Sequence, residues 1–147
     1  MRTAIIFLIT FIFNNNIYGQ EIVENETEEI LPVGVVNEAP IFPSCINRTG
    51  KNLRNCFFEQ LRIRISENLE YPIEHTMDSI TPKIFVAFKI DKKGRVFDIK
   101  IRKRSGMELF EKEAIRVIEN MPKLKPAINK GEKVIVQCHF PINFSLN

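Results

Sequence analysis

Few residues in this chain have the type and spacing to carry chemistry, and the cysteines come first. Cys45 and Cys56 have ten residues between them. In an oxidising compartment such a pair closes into a disulfide; in a reducing one it stays as two buried thiols. A bridge would pin the segment ahead of the first helix to that helix, stabilising by about 3 kcal/mol on the loop-entropy estimate. Cys138 falls on the apolar side of a strand pattern, which suits a small core residue better than a reactive thiol. His75 and His139 are isolated and far apart, so no zinc site is expected. Glu111 and Glu113 could pair as acid and base, but a solvated helix face explains them as well. No nucleophile elbow, His-Glu-x-x-His helix or phosphate loop occurs. The expectation is no catalytic residue, no metal, no cofactor and no enzyme.

The compartment is read from the N-terminus. Met1-Arg2-Thr3 precedes a ten-residue, largely apolar run, Ala4 to Phe13, and Asn14-Asn15-Asn16 ends it. As a helix this core reaches roughly 15 Å, half of a ~30 Å hydrocarbon layer. With Gly19 as a small residue for cleavage, residues 1–19 read as a secretory signal peptide and the mature chain as periplasmic; an uncleaved anchor is the other reading. Export favours the disulfide. Residues 20–39 carry six acids and no base, and are expected to form a flexible acidic leader. The domain is placed at residues 40–147, where twenty Lys/Arg face twelve Asp/Glu. Nucleic acid is not an expected partner outside the cytoplasm.

The elements follow from periodicity. Leu53, Phe57, Leu61, Ile65 and Leu69 recur every four residues, predicting an amphipathic helix that Tyr71-Pro72 stops. Residues 84–101 read IFVAFKIDKKGRVFDIKI. Ile84, Val86, Phe88 and Ile90 alternate with their neighbours as a half-buried strand does. Asp91-Lys92-Lys93-Gly94 is a turn, with Gly94 able to adopt the left-handed backbone that closes a hairpin. Val96, Ile99 and Ile101 slip phase once, which predicts a bulge near Phe97-Asp98. Ser105-Gly106-Met107-Glu108 has the form of a capping box before a second helix carrying Phe110, Ala114, Val117 and Ile118. A last strand over residues 133–140 turns Val134, Val136, Cys138 and Phe140 inward. The predicted order is helix, strand, strand, helix, strand. This is an α+β fold with a small three-stranded antiparallel sheet and two helices on one face.

These placed residues resemble the periplasmic C-terminal domain of TonB, the energy transducer of Gram-negative bacteria. Four motifs carry the likeness, over about residues 41–146. They are Tyr71-Pro72 at the first helix end; Phe88-Lys89-Ile90-Asp91-Lys92-Lys93-Gly94-Arg95-Val96; Met121-Pro122-Lys123-Leu124-Lys125-Pro126; and Pro141-Ile142-Asn143-Phe144, as in Bacteroidetes-type versions. Thr81-Pro82-Lys83 replaces a usual Gly, Leu124 an aromatic and Ala127 another Gly. The inner-membrane helix and the long spacer of a full TonB are not read here, so this looks like a stand-alone form.

The resemblance implies a module that takes up an extended peptide of an outer-membrane TonB-dependent transporter by strand addition on the last strand. Val134, Ile135, Val136, Gln137, His139 and Phe144 would form that site, with Tyr71 and Pro72 carried over by motif. Contact with inner-membrane proton-channel proteins would be indirect. A structural alternative is a homodimer, or attachment to cell wall or another anionic envelope surface. That attachment would use the basic hairpin Lys89, Lys92, Lys93, Arg95, Lys100, Arg102, Lys103 and Arg104; a solvated edge that resists aggregation is the plainer reading of these charges.

Overall fold

A computed structural model describes residues 27–75, 80–102 and 106–145. The segment read as a signal peptide lies outside these residues. Among those described, no helix is long and apolar enough to cross a membrane.

The first helix, α1, spans Gly50–Asn68 and buries Leu53, Cys56, Phe57, Leu61 and Ile65, the four-residue stripe expected of it. Its end is satisfied from the second helix, α2 (Glu108–Glu119). Arg116 donates to the Asn68 carbonyl at 2.8 Å, while Glu113 accepts from the Glu70 N–H at 2.7 Å. A carbonyl and an amide left over at a helix end are thereby paired. Burial pushes the Glu113 carboxyl up, but hydrogen bonds from Arg116 and Glu70 outweigh it and hold it below its ordinary value. The predicted capping box begins at Ser105 and so falls partly outside the described residues. The N-cap of α2 is Met107, without a side-chain cap.

Both helices cover one face of a four-stranded sheet ordered β1-β6-β2-β3. Its strands are β1 (Ile30–Pro32), β2 (Lys83–Ile90), β3 (Val96–Ile101) and β6 (Ile135–Asn143). A separate ribbon pairs β4 (Ile128–Asn129) with β5 (Glu132–Lys133). On β2 the residues Ile84, Val86, Phe88 and Ile90 are buried, whereas Phe85 on the opposite face is 43% exposed. The β2–β3 register slips between Ala87 and Lys89, with Asp98 at φ 49°, so the bulge sits where the lost phase placed it. At the turn, Asp91 accepts from the N–H groups of Lys93 and Arg95 at 2.8 and 2.9 Å. Burial raises the Asp91 carboxyl, but these N–H groups and the Arg95 guanidinium bring it below its usual range.

The sheet departs from the expected one in two respects: its last strand runs Ile135–Asn143 rather than over residues 133–140, and it has a fourth strand, which comes from the acidic leader. Ile30, Leu31 and Pro32 pair in parallel with Ile135, Val136 and Gln137. Val33, Val36 and Ala39 are buried in the main core, so the leader is part of the folded unit from Ile30 onward. The chain between is clamped: Glu38 and Ile128 exchange both backbone hydrogen bonds, as do Ile41 and Lys125. A three-residue strand among acids, Pro and Gly shows no alternation long enough to register as a strand.

Cys45 lies in a short 3-10 turn (Pro43–Cys45) and is joined to Cys56 of α1, with Cα atoms 6.0 Å apart. The bridge fastens this same leader to the first helix. Its reduction is expected to lower the unfolding free energy by about 3 kcal/mol, since the opened loop regains its entropy when unfolded. Urea unfolding with and without a phosphine reductant measures this; coincident transitions would show that the clasp carries no stability. Cys138 is fully buried, and burial pushes its thiol up to about 12, consistent with an inert core residue.

Candidate functional site

The terminal strand β6 is the leading candidate site from the sequence, through backbone groups available to another strand. Its regular pairing with β2 runs from Lys83 opposite Asn143 to Ile90 opposite Val136. The Phe144 N–H bonds to Pro82, and the Gln137 carbonyl accepts from Val33 on the other side. Successive residues of a strand point their backbone groups to alternate sides. Residues 136, 138, 140, 142 and 144 therefore bond toward β2, and residues 137, 139, 141 and 143 face the opposite edge.

That edge divides into two parts. From Ile135 to Gln137 it is taken by β1, so the margin expected to be open there is closed by the chain itself. From His139 to Asn143 no strand pairs with it among the described residues. This second part borders a groove of about 360 Å³, walled by Arg62, Ile65 and Ser66 of α1, by Leu69 just after it and by the end of β6. Pro141 lies in the middle of this open stretch. Its missing N–H faces outward, which explains how a proline sits inside a nine-residue strand without breaking the β2 ladder.

The predicted site residues separate accordingly. His139 is exposed and Gln137 half-buried; their side chains lie on the face away from the helices. Ile135 and Val136 are buried, and Val134 is half-buried and packed against the core. Phe144 is a core residue, 4.9 Å from the Phe110 ring centroid in an edge-on contact. Tyr71 also packs edge-on against Phe110 at 5.2 Å, and its hydroxyl donates to the Ile80 carbonyl. Pro72 accepts from the His75 N–H in the turn that follows. Phe144 and Tyr71 thus hold the ends of β6 and β2 in place, Pro72 belongs to the turn after α1, and none of the three lines the edge. Sequence reasoning missed Ile30, Leu31, Arg62 and Ser66, because nothing local to a strand or helix announces what lies across from it.

The basic hairpin is partly neutralised within the fold. Asp98 pairs with Lys89 at 2.6 Å and Lys100 at 3.2 Å, Asp91 with Arg95 at 3.4 Å, and Glu28 with Lys92 at 2.9 Å. Hydrogen bonds from Lys89 and then Lys100 hold the Asp98 carboxyl below its usual range. Among the described residues no group of His, Cys, Asp and Glu is arranged to hold a metal ion.

No curated protein gives a significant match to this chain. Two solution structures of the Helicobacter pylori TonB C-terminal domain, residues 194–285 and 179–285, are similar to it at 24% and 26% identity. The matches cover 60% and 63% of this chain and 92% and 83% of theirs, with TM-scores of 0.47 each. The family model described as the Gram-negative bacterial TonB protein C-terminal matches residues 67–146. That span runs from the end of α1 through the hairpin, α2 and β6, more than half of the chain, and the protein belongs to the TonB C-terminal family.

Proposed function

We propose that this protein is a periplasmic binding module that takes up an extended segment of an outer-membrane transporter by strand addition along β6. One observation carries the reading: an extended segment already pairs with that edge in cis, and beside the α1 groove the edge continues with no strand partner among the described residues. Family members are interaction modules of energy transduction and not enzymes, which agrees with a site made of backbone groups. Backbone pairing supplies affinity, and the side chains that alternate along the guest supply selectivity. On the open stretch the guest would meet the N–H and C=O of His139 and Asn143, and only a carbonyl at Pro141.

The test is a titration of the labelled protein with synthetic peptides copied from the periplasmic N-terminal segments of such transporters. Chemical-shift changes should concentrate at residues 135–143 and on the α1 face containing Arg62 and Ser66. Changes confined to the turn at residues 91–95, or none at all, would defeat the reading.

A second reading rests on a different observation. The Leu124 N–H bonds to the Gly94 carbonyl at 2.9 Å, setting Lys92, Lys93 and Arg95 beside Lys123 and Lys125 at one end of the molecule. Such a cluster would attract an anionic envelope surface in a salt-dependent way. Sedimentation with anionic vesicles, abolished by salt and indifferent to the peptides, would favour it.

A further inference from the structure

We infer that residues 28–33 are a built-in competitor for the guest strand, and that they must swing off β6 before a partner can pair along the whole edge. This rests on the strand-addition reading above and adds a condition to it. The position of β1 is the first ground: it holds the register opposite Ile135, Val136 and Gln137, immediately upstream of the open stretch. A guest lying along residues 135–143 and β1 cannot both be there.

The contrast in how firmly neighbouring parts of the leader are held is the second ground. Strand β1 is three residues long and has a partner on one side only. Ile30 is 41% exposed, Leu31 is half-buried, and Pro32 has no N–H to give. The ion pair from Glu28 to Lys92 joins two exposed side chains, a type of contact that adds little. So short a strand is marginal by itself. From Val36 onward the chain is fixed. The Val36 side chain is buried and its carbonyl accepts from Arg54 at 2.9 Å. Glu38 and Ile41 are locked to Ile128 and Lys125. Between the two regimes lies a tight turn in which the Val35 N–H bonds to Pro32, with Gly34 in open space. Val33, which is buried and donates to Gln137, is the firmest tie of the weak part.

A weak strand tethered through a tight turn to a fixed point meets its edge at high effective concentration. It therefore competes well with a partner in solution and still opens readily. The apparent affinity for a guest falls by the fraction of molecules whose edge is free. The cis strand also indicates what replaces it: a segment running parallel to β6, with an apolar side chain where Leu31 packs beside Val136. An acidic residue shortly before that position would reuse Lys92.

The test uses the full chain and its Leu31→Asp variant, with a fluorescent peptide of this protein's own residues 27–34 as the probe. The variant should bind the peptide about tenfold or more tightly than the wild type, as expected if the edge is free only a minor part of the time. Equal affinity for the two chains overturns the inference. Hydrogen exchange on the wild type gives an answer even if the variant fails to fold. The Val33 amide should exchange by local opening, far faster than the Val136 and Cys138 amides. Protection of Val33 equal to theirs overturns it. Transporter peptides separate the two ideas: binding both chains equally keeps strand addition and removes the competitor. If the self-peptide binds the variant while transporter peptides bind neither chain, the competitor stands and the proposed function falls.

Discussion

Gly94→Ala is expected to destabilise the fold by about 3–5 kcal/mol, combining a left-handed alanine with severe overpacking. A Cβ built on Gly94 falls 1.7 Å from the Leu124 carbonyl oxygen and 2.6 Å from its carbon, at φ +79°. Neither partner can retreat. The Leu124 N–H is bonded to the Gly94 carbonyl, and the next residue, Lys125, exchanges two hydrogen bonds with Ile41. Against a typical total of roughly 5–15 kcal/mol, that loss removes a large share of the stability. Urea unfolding should show a lowered midpoint with an unchanged slope, and Lys93→Ala one position earlier should shift it little. A Gly94→Ala midpoint equal to that of the native protein would mean the hairpin tip is not seated on the 122–127 segment.

Phe110→Ala should cost a similar amount, about 3–5 kcal/mol, by leaving a cavity in a fully packed site. Phe110 has no exposed surface and touches three rings: Tyr71, His75 and Phe144. Phe144 follows directly on β6, and Tyr71 holds the approach to β2 through Ile80. The mutant should therefore lose more than stability. The amides of Ile142 and Phe144, which bond toward β2, should lose more protection in the mutant than those of Val136 and Cys138. Calorimetry and hydrogen exchange together check this; a uniform loss of protection along β6 would show that the aromatic cluster does not govern that end.

Much of the architecture was legible because its signals are local. The stripe of α1, the alternation of β2, the turn at Gly94 and the bulge at Asp98 each arise within one element and its immediate neighbours. The pairing of Cys45 with Cys56 was legible from spacing and expected export. What could not be read is contact between segments distant in sequence. Ile30 pairs with Ile135 across a hundred residues, and no feature of Ile-Leu-Pro specifies that partner. Likewise Phe144 has the look of a trailing edge residue until α2 brings Phe110 over it. The edge named from the sequence is closed from Ile135 to Gln137 by β1, which could not be read locally, since occupancy of an edge depends on where the rest of the chain goes.

The outward-facing nitrogen of Pro141 has a consequence for how copies of this protein meet. An exposed sheet margin is a template for stacking chain upon chain, and runaway growth needs an uninterrupted row of donors and acceptors. Here the row has a gap at its centre, and a guest strand bonded on either side of it presents no matching gap of its own. The margin is therefore a poor seed for a fibre, because each added copy would have to bridge a position that offers no donor.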